Sequence, residues 1–573
     1  MKKIILGIFV AMTTMFMTVA QNTDQYFEFM HAHHMLDSSE LYVPHVASKA
    51  FTSTAPPTGV IRAIPEWDPA QAVLVSYAQS YSGFGIPYTL IAQESQYCKV
   101  ITIVASAAQQ TTVTSSYTSN GVNLANCSFV VAPIDSYWSR DYGPWFIMTN
   151  NNTIAVVDFP YNRPSRPNDD NVPVVMASNL IEPLYGMNVM HTGGNYMCDG
   201  MGVAAMTDLV IDENAGLTHA QIDTAFKQYM GITNNYIVTD PLGQYIKHID
   251  CWGKFLDVDK ILIASVPTNN AQYSAYEATA TYWANQTSSY GNKYQVYRTY
   301  EPSGQPYSNS FILNKKVFVP IMGGSSTTYD NDALAVYQQA MPGYAVIGVL
   351  GLTGSNSWVS TDALHCRNHE IADKGMLYIK HLPLLGEKPM QTQYLISADV
   401  YALSQSALIT DSAWVKYRVN HASWNTLAMT HGLNNNWTAN IPQQLAGDTI
   451  EYYIHASDLS PRSQTHPLIG QYDPHKFWIA TGTTVVEDKN AVTAMVFPNP
   501  AVNNLYVQMV NTQDATTHIR LFDMLGNEVK TLVETNLDNK LLNINLSDIP
   551  LGTYFLQIVS DNFSTNKKIM VMR

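Results

Sequence analysis

The chain is organised around the segment Asp135-Ser-Tyr-Trp-Ser-Arg-Asp-Tyr-Gly-Pro-Trp-Phe146, which sets five aromatic residues, one arginine and two acids around a Gly-Pro turn signal. Turns are ordinarily small and polar, and buried strands ordinarily avoid charge. Asp141 stands between Trp138 and Trp145, so its carboxylate needs a cationic partner or a cationic ligand. The segment leaves two interpretations open: a structural turn in which Arg140 satisfies Asp141, or part of a binding site.

The N-terminus carries the pattern of an export signal. Lys2-Lys3, an apolar run from Ile4 to Val10 and small residues before Gln21 predict a secretory signal peptide over residues 1–20. Residues 21–55 contain the patch His31-Ala-His-His34. Clustered histidines can bind metal, but no second ligand cluster accompanies these, so we interpret residues 21–55 as a leader or propeptide.

Residues 56–385 alternate short apolar strands with helical segments, which predicts an α/β domain. One helix is expected from Thr218 to Met230, with Thr218 as its N-cap and Gly231 as its stop. After Pro389 the strands alternate apolar and polar residues with period two, as in a small β-sandwich, which we assign to residues 386–485. A second all-β unit follows over residues 490–573.

Composition restricts the function. A formal net charge of −14 argues against nucleic acid as a partner and is compatible with a cationic substrate. The five cysteines show no zinc-type spacing. Because five is odd, at least one thiol stays unpaired in an oxidising compartment, either as a buried structural residue or as a nucleophile. The pairs Cys98–Cys127 and Cys198–Cys251 are possible disulfides.

Several later residues carry chemistry. His248-Ile-Asp250 places an imidazole and a carboxylate on one face if the segment is extended. Cys366 lies between His365 and Arg367, a setting expected to lower the pKa of its thiol. Asn309 lies in a loop that can present its amide. Arg163 and Arg166 could clamp a carboxylate or pair with the neighbouring acids Asp169-Asp170.

Together these groups match the requirements of guanidinium hydrolysis. Asp141 and Asp250 can each accept N–H groups of the planar cation, while the thiolate of Cys366 attacks its central carbon. His248 can protonate the departing ammonia and then activate water. Such a reaction needs no metal and no organic cofactor, and the sequence contains no motif for either.

The C-terminal unit resembles the sorting domain of type IX secretion cargo. The resemblance rests on Pro498-Asn-Pro500, Asp523-Met-Leu-Gly526, Gly552-Thr-Tyr-Phe555 and the basic end Lys567-Lys568. It implies export across the outer membrane by the type IX machinery, removal of this domain and attachment to the cell surface.

The central region resembles the guanidine-modifying (pentein) superfamily, which includes agmatine deiminases, and within it the Porphyromonas-type peptidylarginine deiminases. The motifs are Trp138-Ser-Arg-Asp-Tyr-Gly-Pro144, His248-Ile-Asp250 and Leu364-His-Cys366. The resemblance implies a five-bladed α/β propeller, followed by an immunoglobulin-like β-sandwich and the sorting domain. Two features depart from the family pattern: the Arg163-Pro-Ser-Arg166 spacing, and the missing Gly-rich run before Cys366.

The resemblance also implies roles for individual residues. Cys366 would be the nucleophile, His248 the general acid and base, and Asp141 and Asp250 the guanidinium ligands, with Asn309 beside the cysteine. Trp138 and Tyr245 would line the cleft, and Arg163 and Arg166 would receive the carboxylate of a C-terminal arginine. The expected substrates are therefore peptides and proteins that end in arginine.

Three other functions remain open from the sequence. The first is a deiminase of free agmatine or arginine, which needs no carboxylate clamp. The second is a secreted cysteine peptidase of the gingipain type, although its usual signatures are absent around His248 and Cys366. The third is a non-catalytic adhesin. No calcium-loop pattern is present, so we expect calcium independence.

Overall fold

A computed structural model of the chain describes residues 51–81, 83–150, 152–481, 493–510, 516–535, 541–560 and 563–572. The predicted signal peptide, residues 1–20, and residues 21–50 of the predicted leader lie outside these ranges. The chain divides into two compact units, Met1–Ala480 and Thr481–Arg573.

Five small sheets make up the part of the first unit that precedes residue 373. Their strands, in hydrogen-bonded order, are Arg62–Ala63, Trp145–Met148, Ile154–Asp158 and Leu184–Gly186; Asn234–Val238, Val203–Thr207 and Met197–Cys198; Gly253–Asp257, Lys260–Ser265 and Gln295–Tyr300; Phe311–Leu313, Lys316–Ile321 and Ala345–Leu350; and His369–Ala372, Ala70–Ser76, Lys99–Val104 and Cys127–Val131.

A repeated unit of two antiparallel strands, a helix and a parallel strand builds these sheets. In one of them Gly253–Asp257 pairs antiparallel with Lys260–Ser265, the helix Tyr273–Asn285 crosses over, and Gln295–Tyr300 then pairs in parallel. Parallel neighbours need such a crossover, whereas antiparallel neighbours need only a tight turn. The alternation of strand and helix predicted from the sequence is confirmed.

The fifth sheet joins the two ends of this region. His369–Ala372 pairs antiparallel with Ala70–Ser76, with His369 opposite Leu74. The Ser139 hydroxyl donates to the carbonyl of the same Leu74 at 3.3 Å. Since Cys366 comes just before His369 and Asp141 just after Ser139, this strand brings together segments more than two hundred residues apart.

Nine α-helices occur in the described ranges. They are Tyr88–Glu94, Ala107–Ser119, Ser139–Tyr142, Pro167–Asp170, Val172–Leu180, Leu209–Glu213, His219–Met230, Tyr273–Asn285 and Thr327–Ala340. The predicted helix is His219–Met230, capped by Thr218 and Gln221 in a capping box and ended by Gly231 at φ 71°. It buries Ile222, Phe226, Tyr229 and Met230, which form the apolar stripe of a helix.

Two sheets follow in residues 377–479. The first contains Leu377–His381, Gln393–Ala402, Asn436–Pro442 and Thr430–His431. The second contains Gly386–Lys388, His475–Ile479, Thr449–Ser457, Trp414–Val419 and Asn425–Ala428, with Ser463–His466 paired to Thr449–Ser457. Alternate residues of both sheets share one core that includes Ile396, Val415, Ile454 and Phe477. The predicted β-sandwich is present.

The second unit is all β in the ranges described. One sheet contains Thr493–Phe497, Asn504–Val510 and Leu541–Asn545, and the other contains Glu528–Thr535, Thr516–Phe522, Gly552–Ser560 and Phe563–Val571. Its apolar core is its own and includes Leu505, Val507, Ile519, Leu556 and Ile569.

Candidate active site

Asp141 is fully buried in the short helix Ser139–Tyr142. Its Oδ1 accepts hydrogen bonds from the backbone N–H of Gly194 at 2.9 Å and from the Thr192 hydroxyl at 3.0 Å. His248 Nδ1 lies 3.5 Å from the same oxygen. Burial raises the pKa of Asp141 above its ordinary value, although the charge of His248 opposes this shift.

Arg140 does not pair with Asp141, so the suggested pairing of these two residues was wrong. Its guanidinium binds Glu370 through two hydrogen bonds, Nη1 to Oε1 at 3.3 Å and Nη2 to Oε2 at 2.5 Å. In a helix, consecutive side chains point in directions about 100° apart, so Arg140 and Asp141 face different neighbours.

Asp250 lies in the 3₁₀ turn Ile249–Cys251, which His248 precedes. The extended geometry assumed for His248-Ile-Asp250 was therefore wrong, yet both side chains reach the same site. Asp250 Oδ2 lies 2.7 Å from His365 Nδ1. Although burial raises the pKa of Asp250, the hydrogen bond and the charge of His365 outweigh it and hold this pKa below its ordinary value.

Cys366 is fully buried in the turn His365–Arg367. Its Sγ lies 3.3 Å from the Asn309 amide nitrogen and 3.6 Å from Asp250 Oδ2. The same amide group donates to the Asp250 carbonyl at 3.2 Å, and its oxygen accepts from the His365 N–H at 2.9 Å. Asn309 thus holds the cysteine turn against the Asp250 turn.

The expected lowering of the Cys366 pKa is contradicted. Burial raises the pKa of this thiol well above its ordinary value, and the carboxylates of Asp250, Asp362 and Asp141 add to the effect. The two basic residues beside it in sequence are turned to acids: His365 faces Asp250, and Arg367 Nη2 binds Asp362 at 2.7 Å.

Trp138, Arg163 and Arg166 are buried near these groups. The Arg166 guanidinium lies over the Trp138 ring, 4.7 Å from its centroid, and the indole N–H donates to Asp362 at 3.0 Å. The charge of Arg163 acts on Asp141. Tyr245 differs from the other predicted site residues because it is 41% exposed, so its place in the cleft wall stays a prediction.

The acids that follow the two arginines have backbone partners of their own. Asp169 accepts from the N–H groups of Asp135 and Ser136 at 2.8 and 3.0 Å, and Asp170 accepts from the Tyr161 N–H at 2.6 Å. Asp135, which the sequence leaves as a turn residue, accepts from the Asn168 N–H and side-chain amide at 2.8 and 2.7 Å. These bonds tie the arginine loop to the segment that carries Asp141.

Sequence reasoning missed the turn Gly193–Asn195. A Cβ added to Gly194 would lie 2.5 Å from Asp141 Oδ1, 2.6 Å from His248 Nδ1 and 3.2 Å from Asp250 Oδ2. Any side chain here would enter the space where the three groups converge. The signal that could have found it is Thr192-Gly-Gly-Asn195, a pair of glycines flanked by hydrogen-bonding residues.

All five cysteines are free, so neither disulfide considered from the sequence is formed. The thiols face different partners: Cys198 Sγ lies 3.5 Å from the Ile64 carbonyl, and Cys251 Sγ lies 3.5 Å from the Thr361 carbonyl. Within the described residues, no group of three or more His, Cys, Asp or Glu side chains is placed to hold a metal ion.

The arrangement combines a thiol, two carboxylates and an imidazole around one small space. Carboxylates on one side can orient a planar cation by paired hydrogen bonds, and a thiol at its face can attack. The two acids differ, because the pKa of Asp141 is raised and that of Asp250 is lowered. Such a pair can bind a cation while one member takes part in proton movement.

Comparison with known proteins gives two family matches. The family model described as Porphyromonas-type peptidyl-arginine deiminase matches residues 62–369. The model described as a secretion system C-terminal sorting domain matches residues 495–572. Of the helices that the structure describes, none is both long enough and apolar enough to cross a membrane.

Individual relatives are more distant. A Yersinia pseudotuberculosis protein assigned as an agmatine deiminase is 23% identical over 292 residues, which cover 43% of this chain and 77% of that protein. The solved agmatine deiminase of Enterococcus faecalis is 17% identical with a TM-score of 0.48, covering 56% of this chain and 99% of that one. Another solved structure assigned as an agmatine deiminase has a TM-score of 0.50 at 17% identity, covering 56% and 98%. This last likeness shows a mixed α/β, pentein-like fold.

Proposed function

The chain belongs to the Porphyromonas-type peptidyl-arginine deiminase family, and from that premise we propose that it converts peptidyl-arginine, preferentially at a peptide C-terminus, to citrulline and ammonia. Members of this family and its agmatine deiminase relatives are guanidino-group deiminases, which hydrolyse an amidine C–N bond. The peptide substrate, the C-terminal preference and the covalent mechanism are the parts that we add.

The proposed reaction has two steps. Asp141 and Asp250 accept hydrogen bonds from the guanidinium N–H groups and fix its central carbon beside Cys366. The thiol proton of Cys366 passes to His248 as a C–S bond forms, and His248 then gives that proton to the departing ammonia as a C–N bond breaks. Water then gives a proton to His248 and attacks the thiouronium carbon, the C–S bond breaks, the sulfur recovers a proton from His248, and the ureido product leaves with release of one proton to solvent.

One observation carries the chemistry. Three groups from two distant segments, Asp141 from one and His248 and Asp250 from the other, converge within 3.2 Å of the position that a Cβ on Gly194 would take. Cys366 completes the set, at 3.6 Å from Asp250. A core seldom gathers two acids, an imidazole and a thiol without a ligand to justify the desolvation.

The choice of a peptide ending in arginine rests on Arg163 and Arg166. Both are buried beside the site, one acting on Asp141 and the other stacked on Trp138. Two guanidinium groups are suited to a carboxylate, which an arginine C-terminus offers and agmatine lacks. The relatives assigned as agmatine deiminases make agmatine the competing substrate.

Ammonia release tests the proposal. A peptide ending in arginine should give ammonia with the intact protein and none with Cys366→Ser, and added calcium chelator should leave the rate unchanged. Arg163→Ala should lower kcat/KM for that peptide about tenfold or more, as expected when a buried charge-assisted contact is lost. Its activity on agmatine should change far less, and Arg298→Ala, a surface arginine paired with Glu277, should change neither.

The outcomes separate the candidate functions. Equal loss on both substrates, or full peptide activity in Arg163→Ala, would contradict the C-terminal preference. Peptide-bond cleavage without ammonia would favour a cysteine peptidase, and no reaction at all would favour an adhesin.

For the architecture, we propose that the five small sheets are the blades of a five-bladed α/β propeller and that the two sheets of residues 377–479 form an immunoglobulin-like domain. The boundary after residue 385 expected from the sequence falls inside this domain, because strand Leu377–His381 already pairs with Gln393–Ala402. We therefore place the propeller in residues 56–376 and the sorting domain in residues 490–573. The sorting domain implies interaction with the type IX machinery and a secreted or surface location. We further propose that this domain is removed after export and that the enzyme stays attached to the outer cell surface.

A further inference from the structure

His365, the residue before the proposed nucleophile, lies between two carboxylates. Its Nδ1 is 2.7 Å from Asp250 Oδ2, and its Nε2 is 3.3 Å from Glu66 Oε2. The ring is only 4% exposed. The effect on the Cys366 thiol that the sequence suggested for this imidazole is contradicted, and the proposed mechanism gives it no other task.

The geometry restricts how the ring can bond. A neutral imidazole carries one N–H group, whereas an imidazolium carries two. Carboxylate oxygens face both ring nitrogens, so both contacts are hydrogen bonds only when the ring carries two protons. In that form His365 is a cation bonded to each acid.

The far side of the ring is anchored. Glu66 Oε2 also binds the Lys254 ammonium, and Glu66 Oε1 accepts from the Ile312 N–H at 2.6 Å. Glu66 therefore cannot turn away without breaking two other bonds. His365 is held in place by Glu66 and in turn holds the Asp250 carboxylate by one oxygen.

Other charged groups surround this chain of contacts. Arg140, bound to Glu370, acts on Glu66, and His369 interacts with His365 through charge. Cys366 follows His365 directly and approaches the same Asp250 oxygen. None of these groups takes the place of His365 between the two acids.

We propose that His365 is a positioning residue, which fixes the Asp250 carboxylate in its orientation and in its ionised state so that it can receive a guanidinium. The inference rests on the proposed function in one respect, the role of Asp250 as a guanidinium ligand. It does not depend on whether the substrate is a peptide.

Binding measured at two pH values tests the proposal. The Cys366→Ser protein, which cannot turn over substrate, is titrated by calorimetry with agmatine and with a peptide ending in arginine at pH 4.5 and pH 7.5. Removing a cation from a carboxylate raises the carboxyl pKa by about one unit or more, so Asp250 would need a higher pH to ionise. Adding His365→Asn should therefore weaken binding more at pH 4.5 than at pH 7.5. The loss of affinity at pH 4.5 should exceed the loss at pH 7.5 by about threefold or more.

Two further variants sharpen the result. Glu66→Gln removes the carboxylate that anchors His365 and should give a smaller pH-dependent loss of binding in the same direction. This variant tests the proposal if circular dichroism shows that His365→Asn does not fold. His381→Gln is the matched control, because this buried histidine lies in the β-sandwich, where it contacts the Ser397 carbonyl and the Tyr452 hydroxyl, and its loss should leave the pH dependence unchanged.

Weakening that is equal at the two pH values would mean that His365 only supports the fold, and the inference would be overturned. It would equally fail if neither probe binds the Cys366→Ser protein at either pH. Failure of the peptide preference is a separate outcome, because the loss of affinity at pH 4.5 relative to pH 7.5 can be measured with agmatine alone.

Discussion

At the scale of single residues, the two carboxyl groups of the candidate site differ because of their neighbours. Asp141 meets hydroxyl and backbone donors and a histidine 3.5 Å away, whereas Asp250 meets a histidine at 2.7 Å. Both are buried, so desolvation acts on both. At Asp250 the hydrogen-bonded histidine outweighs the effect of desolvation and lowers the pKa, whereas at Asp141 desolvation prevails and the pKa is raised.

Asp141→Asn is expected to keep the fold and remove turnover. The amide has nearly the same shape, and a carboxyl with a raised pKa gains little stability from its charge. The loss of one guanidinium ligand should lower kcat/KM at least about a hundredfold in the ammonia assay. Asp158→Asn is the control, since burial raises the pKa of this carboxyl to about 8 outside the site. A variant that does not fold would restore a structural role for Asp141.

Cys366 is expected to react as a high-pKa thiol in the free protein. Because burial raises its pKa, the thiolate fraction should increase about tenfold per pH unit through neutral pH. Modification of Cys366 by iodoacetamide, followed by mass spectrometry, should therefore accelerate up to pH 9 without a plateau. A plateau near neutral pH would show a stabilised thiolate and would restore the expectation from the sequence. If His248 completes the acid–base pair, turnover should have a bell-shaped pH dependence.

At the scale of elements, short turns carry the site and longer elements hold them. The turns Gly193–Asn195, Ile249–Cys251 and His365–Arg367 bring functional side chains, and each stands next to a strand of a different sheet. Rigid strands fix where such turns lie, while the turns are free to aim side chains inward.

Gly231 is expected to tolerate alanine poorly. It ends the helix His219–Met230 at φ 71°, and a Cβ there would lie 2.2 Å from the Ile61 carbonyl oxygen. Gly121 has nearly the same conformation, φ 73°, with nothing within 4 Å of its Cβ position. Both alanines incur about 1 kcal/mol of left-handed strain, but Gly231→Ala should lower Tm by about 2–6 °C more. Equal Tm values for the two variants would mean that the backbone near Ile61 relaxes.

At the scale of the whole molecule, the proposed chemistry belongs to the first unit. The hydrogen bonds and ion pairs named for the site join residues between 66 and 370. The second unit has its own apolar core, and a separate family model covers it.

A chain that ends at Ala480 should therefore keep deiminase activity. The cut falls at the boundary of the two compact units, and the hydrogen bonds and ion pairs named for the site all lie within the first of them. Its kcat/KM in the ammonia assay should agree with that of the full chain within about twofold. In the producing cell, the same truncation should abolish delivery to the surface, and a large loss of activity in the purified protein would contradict this division of roles.

The sequence by itself determined the order of elements and pointed to most of the residues of the candidate site. Helix caps such as Thr218 and Gly231, the period-two strands after Pro389 and the sorting motifs are local patterns, since they depend on residues close in the chain. The residue types that suit guanidinium chemistry were visible for the same reason: their chemistry belongs to the side chain.

Only the tertiary structure decided which groups face each other. That Arg140 binds Glu370, that His365 turns towards Asp250, and that Gly194 leaves room at the site all depend on contacts across 50 residues or more. Charge and pKa in a protein depend on burial and distance, which sequence spacing does not contain. Asp141 was recognisable as an unusual acid from its own segment, but its partners came from the rest of the fold.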